Sequence, residues 1–109
     1  MAIQDSKLIQ NAQTKVSTGD YINVTNSDDL VISVYGTSTS FTLLFQGSLD
    51  NINYFGISGT KLSDPMAFSA STSSLSEAWE FDVSALASFR TSLTVIGNGN
   101  VTVVANIPK

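Results

Sequence analysis

Apolar and polar residues alternate along most of this chain, in runs too short for helices. Leu30, Ile32 and Val34 share one phase of Leu30-Val-Ile-Ser-Val-Tyr35. Phe41, Leu43 and Phe45 share the next, with Leu44 opposite. Trp79, Phe81 and Val83 alternate against Glu80 and Asp82. Phe89, Thr91, Leu93 and Val95 alternate against Arg90, Ser92 and Thr94, and Val101, Val103 and Ala105 follow. Successive side chains of a strand point to opposite faces, so this period of two predicts half-buried strands. Tyr21-Ile-Asn-Val-Thr25 reads the same way, with Ile22 and Val24 inward. No stretch keeps a helical period for three turns.

Turn chemistry separates these runs. Asn26-Ser-Asp-Asp29 and Gly47 to Asn53 carry side chains that bond nearby backbone. Gly36-Thr-Ser-Thr-Ser40 is a loop, and Ser84-Ala-Leu-Ala-Ser88 is a compact turn with Leu86 plugging the core. Gly97-Asn-Gly-Asn100 predicts a hairpin, because Gly and Asn tolerate positive φ. From Ser58 to Ser76 the chain reads as a long polar connection, with a short strand near Met66–Phe68. Residues 1–19 are weakly patterned and read as an N-terminal arm or edge strand; residues 20–109 read as a single domain. About eight short strands joined by turns predict an all-β fold, an antiparallel β-sandwich or jelly roll.

Composition narrows the function classes. A chain of 109 residues that is 42% hydrophobic and 13% charged can build one two-layer core. Roughly a third of it is Ser, Thr or Asn, a neutral surface suited to exposed strand faces. The net charge is -4, and Lys7, Lys15, Lys61, Arg90 and Lys109 are scattered. That distribution gives no basic stripe for nucleic acid and no attraction to an anionic membrane. No apolar run reaches the roughly 20 residues of a membrane span. The start, Met1-Ala-Ile-Gln-Asp-Ser-Lys7, lacks the basic and apolar regions of a signal peptide, so synthesis in a cytoplasm is expected. Without cysteine there is neither a disulfide framework nor a thiolate metal site.

Catalytic constellations are sparse. A Ser–His nucleophile is excluded, because the chain has no histidine. No spacing singles out a Ser–Lys pair. Glu80 and Asp82 share a strand face, which suits solvated charges better than an acid pair across a cleft. Asp50-Asn-Ile-Asn53 and Asp28-Asp29 offer oxygens to calcium but match no calcium-loop spacing, and turn chemistry accounts for both. No enzyme activity, cofactor or metal is expected. Tyr21, Tyr35, Tyr54 and Phe55 are candidates for a ligand surface, since glycans stack on aromatic platforms; Trp79 keeps the inward phase of Phe81 and Val83 and reads as core. Asn23-Val-Thr25 and Asn100-Val-Thr102 fit the glycosylation pattern, which a Ser/Thr/Asn-rich chain produces by chance.

Three segments carry a resemblance. Phe41-Thr-Leu-Leu-Phe-Gln-Gly-Ser-Leu-Asp-Asn-Ile-Asn-Tyr54 resembles a strand-turn cassette of small accessory structural proteins of tailed bacteriophages and prophages. Glu80-Phe-Asp-Val-Ser-Ala-Leu-Ala-Ser-Phe-Arg-Thr-Ser-Leu93 resembles their second cassette, and Gly97-Asn-Gly-Asn-Val-Thr-Val103 their final hairpin. The likeness covers roughly residues 30–105 and departs at Asn51, where glycine is usual.

The resemblance implies a non-enzymatic virion component: a capsid decoration protein, a head-fibre base, or a tail or baseplate accessory. Its partners would be other virion proteins and further copies of itself, with a trimer as the implied homo-oligomer. Ile3, Leu8 and Ile9 would then belong to an arm that docks on a neighbour. A carbohydrate-binding β-sandwich module is the alternative reading.

Overall fold

The computed structural model describes residues 4–108. Every regular element among them is a strand: β1 (Gln4–Gln13), β2 (Ser17–Thr18), β3 (Ile22–Asn23), β4 (Asp29–Gly36), β5 (Phe41–Ser48), β6 (Tyr54–Gly56), β7 (Gly59–Lys61), β8 (Asp64–Ser69), β9 (Ser71–Thr72), β10 (Glu77–Asp82), β11 (Ser88–Ile96) and β12 (Val101–Pro108). They form two antiparallel sheets. The front sheet runs β1-β12-β4-β10-β7-β8. The back sheet runs β2-β11-β5-β6, with β3 also on β11 and β9 also on β5. The protein is an all-β sandwich.

The alternation in sequence becomes the core. Leu30, Ile32 and Val34 from β4, Trp79 and Phe81 from β10, and Val101, Val103 and Ala105 from β12 line the inside of the front sheet. Phe41, Leu43 and Phe45 from β5 meet them from the back sheet with Phe89 and Leu93 from β11. Phe45 is the joint between layers: its ring lies 5.3 Å from Trp79 and 5.0 Å from Phe81. Phe81 in turn lies 4.8 Å from Phe89. Leu86 is partly buried and packs against this cluster. Gly59 is required here, because a Cβ would sit 2.5 Å from Cε2 of Phe81.

One margin of the sandwich is stitched shut. The Gly19 amide donates to the Thr91 carbonyl at 2.8 Å, and the Asp20 amide donates to the Ile9 carbonyl at 3.1 Å. A bulge between Leu8 and Gln10 turns both Ile9 and Gln10 inward. The buried Gln10 amide then donates to the carbonyls of Ser17 and Thr91, both at 3.4 Å, and accepts from Ser17 Oγ at 3.1 Å. Gly19 allows this approach; a Cβ there would lie 2.4 Å from the Ile9 carbonyl oxygen.

Several local expectations are corrected. Gly97–Asn100 is not a hairpin. It carries the chain from β11 in the back sheet to β12 in the front sheet. It lies beside the loop at residues 37–40, which crosses between the same sheets. Asn98 Oδ1 accepts from the Thr39 amide at 2.8 Å, and the Asn100 carbonyl accepts from the Thr37 and Ser38 amides at 3.0 and 3.1 Å. Asn and Gly serve that loop pairing as well as they serve a hairpin. The polar stretch 58–76 is mostly strand, holding β7, β8 and β9. Its strands are too short, and too near the edge, to show alternation. Val95 faces solvent, because a bulge between Leu93 and Val95 reverses the phase of β11. The strand expected at Tyr21–Thr25 is only Ile22–Asn23.

Candidate functional site

Strand register decides what each sheet shows to solvent. On the front sheet, Glu80 lies opposite Val31 and Thr60, Val31 opposite Asn106, and Thr60 opposite Phe68. These residues form one outward row that crosses from β12 to β8. The next row runs Leu8, Val104, Ser33, Ala78. Tyr35 and Thr102 begin a third, and Asp29 and Asp82 lie at the opposite end. Leu8, Tyr35 and Phe68 are exposed, and Val31, Val104 and Ala78 are partly so. The outer front face is therefore mixed: Leu8, Val31, Val104, Ala78, Tyr35 and Phe68 stand among Ser33, Thr60, Thr102 and Asn106, with Glu80 in the row of Val31 and Phe68 and with Asp29 and Asp82 at one end. The register places no Lys or Arg in these rows.

The back sheet is different. Its outward rows pair Arg90 with Gln46, Ser88 with Ser48, and Ser92 with both Leu44 and Thr18. Arg90 lies flat over the Tyr54 ring at 3.8 Å, and its Nε donates to Gln46 Oε1 at 2.8 Å. The Tyr54 hydroxyl shares a hydrogen bond of 2.8 Å with Ser88 Oγ. Hydroxyl, amide and guanidinium groups fasten this face to itself.

The β5–β6 turn is also self-satisfied. Asp50 Oδ1 accepts from the amides of Asn53 and Ile52 at 2.8 and 2.9 Å and from Ser48 Oγ at 3.1 Å. Its Oδ2 accepts from Asn53 Nδ2 at 2.9 Å. The backbone amides of Asn53 and Ile52, first of all, hold the Asp50 carboxyl far below the usual carboxylate range. Asn51 takes the left-handed conformation at φ 64°, which explains how it stands where glycine is usual. The Asp50 carboxylate, one of the oxygen sources that suggested calcium, is thus engaged in the turn.

Glu77 anchors the end of β10. It accepts from Trp79 Nε1 at 3.0 Å and from Thr72 Oγ1, and pairs with Lys61 Nζ at 2.7 Å. Burial works against its charge, but these bonds outweigh burial and lower its pKa below the ordinary 4.5. Asp82, the other acid of the Glu80 strand face, accepts from the amide and hydroxyl of Ser84, and the amide bond first of all lowers its pKa.

The candidate aromatic residues do not share one surface. Tyr35 is on the outer front face and Tyr54 on the outer back face, where Arg90 covers its ring. Phe55, next along β6, takes the phase opposite to Tyr54 and is 45% exposed. Tyr21 lies between β2 and β3; its carbonyl accepts from Lys7 Nζ at 2.6 Å, and the ammonium sits 5.3 Å from its ring. Trp79 is buried. Of the proposed arm, Ile9 packs in the domain's own core and Leu8 is exposed on the front face, while Ile3 lies outside the described residues. Among the described residues, no pocket and no cluster of three or more metal-ligating side chains is present.

A family model, XepA, matches residues 4–107. The chain belongs to the XepA family. The chain is also similar to the uncharacterized protein YqxG of Bacillus subtilis (strain 168), 32% identical over 88 residues. That match covers 81% of this chain and 29% of YqxG. Among solved structures, SPBc2 prophage-derived protein YomS is similar with a TM-score of 0.92 and 26% identity, over 100% of this chain and 96% of YomS. PBSX exported protein XepA has the same fold, with a TM-score of 0.92 at 22% identity, over 99% of this chain and 38% of that one. This chain therefore spans well under half the length of YqxG and of XepA itself, and nearly all of YomS. Of these, YomS is prophage-derived.

Proposed function

We propose that this XepA-family chain is a non-enzymatic structural component of a phage particle that works through protein–protein contacts and self-associates. The observation that carries the reading is the near full-length likeness to a prophage-derived protein of the same size. The two outer faces support it. One is fastened by its own hydrogen bonds, and the other exposes Leu8, Tyr35 and Phe68 among polar residues, a mixed surface of the kind proteins use on one another.

Gradient-purified particles from an induced host test this proposal. The chain should co-sediment with particles at a fixed ratio to the major capsid protein, by quantitative mass spectrometry. Recovery only in the free-protein fractions, with none on particles, would refute a virion role. Decoration, fibre and baseplate roles are then separated by immunogold labelling of intact particles.

A further inference from the structure

We propose that the open edge of the back sheet at β6 takes an extended segment of a different protein, and that an aspartate or glutamate of that segment pairs with Arg90. The class of partner rests on the protein–protein role proposed above; the site does not.

Gly56 has no internal reason to be glycine. Of the chain's seven glycines, all but Gly56 have a heavy atom within 3.2 Å of where a Cβ would stand, and Gly36 and Gly99 also hold positive φ. A Cβ on Gly56 would meet nothing within 4 Å, and its φ is not positive. Glycine weakens a strand, and it often marks a place where a ligand or another backbone comes close. Gly56 ends the outward row Arg90, Gln46, Gly56, so the open space lies on the outer back face in line with Arg90.

Arg90 is held in place but not used up. The Tyr54 ring carries its guanidinium, and Gln46 accepts from its Nε. Among the described residues its two Nη groups make no hydrogen bond, and no acid pairs with it. Asp50, the acid of the adjoining turn, spends its oxygens on Ser48, Ile52 and Asn53. A guanidinium fixed in this way offers a planar fork of donors, which fits a carboxylate through two parallel hydrogen bonds.

The backbone supplies the rest of the site. β6 ends the path of the back sheet. The Ile57 amide donates to the Phe45 carbonyl at 3.0 Å, so these two form a hydrogen-bonded pair of the antiparallel ladder. Alternation makes Gly47 and Phe55 the next such pair, and it turns the amides and carbonyls of Tyr54 and Gly56 to the open edge. An added strand would bond to those groups. Its residue opposite Gly56 would stand about 4.8 Å beyond β6, on the outer face. With no side chain on Gly56 in the way, an acidic side chain there reaches back across β6 to Arg90, whose guanidinium already lies over Tyr54 of the same strand. A sugar acid fits less well, because Arg90 covers the ring on which a sugar would stack and no pocket is present among the described residues.

The test is an NMR titration of the whole, nitrogen-labelled chain with a short blocked peptide of valine and threonine around one central glutamate. The same peptide with glutamine, a uronic acid oligosaccharide and inorganic phosphate are the comparisons. The glutamate peptide should shift the Arg90 Nε–H and the Tyr54 and Gly56 amides saturably, with a Kd on the order of 1 mM. Glutamine in its place should weaken binding by about tenfold or more, and so should Arg90→Lys, since an ammonium lacks the planar fork. Gly56→Val should abolish binding while the fold stands, because its Cβ enters open space. Amide signals away from the site report that each variant is folded. No saturable shift at Arg90 with the glutamate peptide, or equal binding by the glutamine peptide or to Gly56→Val, overturns the site. Phosphate or the uronic acid binding as tightly as the peptide, or in its stead, overturns the assignment to a protein segment. Neither result touches the virion role, which the particle experiment judges by itself.

Discussion

The two outer faces of the sandwich are built from the same kind of strand and end with opposite chemistry. The back face spends its polar groups on itself: Arg90 on Tyr54 and Gln46, Tyr54 on Ser88, Ser48 on the Asp50 turn. The front face carries Leu8, Val31, Val104 and Phe68, which have nothing comparable to hold in a single chain. Both sheets turn their inner faces to one shared core. A face that satisfies its own hydrogen bonds costs nothing to leave in water. Each apolar side chain left in water on the front face forgoes roughly 25 cal/mol for each Å² that a partner could cover.

The hardest way to break this comparison is to remove the layer both faces stand on. Phe45→Ala should cost about 3–5 kcal/mol in urea unfolding, because its ring joins Trp79 and Phe81 across the sheets. Both faces would be lost together; a variant of unchanged midpoint would mean that the sheets are held by something else. Gly59→Ala strikes the front sheet alone. Its Cβ would press on Phe81, and a cost of about 1–3 kcal/mol is expected from overpacking.

Glu77→Gln sharpens the comparison through pH. Lowering of the Glu77 pKa means that the folded state binds the proton less readily than the unfolded chain. Its contribution to stability is then complete above the ordinary value of 4.5 and is lost as pH falls through the lowered folded value. The Gln variant should be less stable than the parent at neutral pH, by about 1 kcal/mol from the weakened bonds to Lys61 and Trp79. It should also lose less stability on acidification, as read from thermal midpoints between neutral and acid pH. Equal acid sensitivity would mean that Asp50 and Asp82, also lowered, account for the whole acid limb.

Arg90→Ala should be the mildest. Its guanidinium lies on Tyr54 at a partly exposed site, and the expected loss is about 0.5–1 kcal/mol with no change in oligomeric mass. A change in mass would place a self-association contact on the back face.

The inward set was legible because large apolar residues recur at every second position of β4, β5, β10 and β12, and a period of two puts each such set on one face. The strands of residues 59–72 were not legible. Their Ser, Thr and Gly residues sit at a sheet margin, where neither face demands apolar side chains. The outer front face left a signal that went unread: Leu30-Val31-Ile32 and Val103-Val104-Ala105 are apolar in both phases, which a sheet solvated on one side does not need. The aromatic residues misled for a related reason. Tyr35 and Tyr54 look equivalent along the chain, and only sheet membership puts them on opposite outer faces.

The sequence by itself determined an all-β chain, the phase of its core strands, and the turn at Asp50, because alternation and side chain-to-backbone bonding act over a few residues. Tertiary structure alone decided that Gly97–Asn100 crosses between sheets, that bulges bury Ile9 with Gln10 and expose Val95, and that Leu8, Val104, Ser33, Ala78 and Phe68 share one face. Strand order and register come from pairings between residues far apart in the chain, and no local pattern encodes which strand will be whose neighbour.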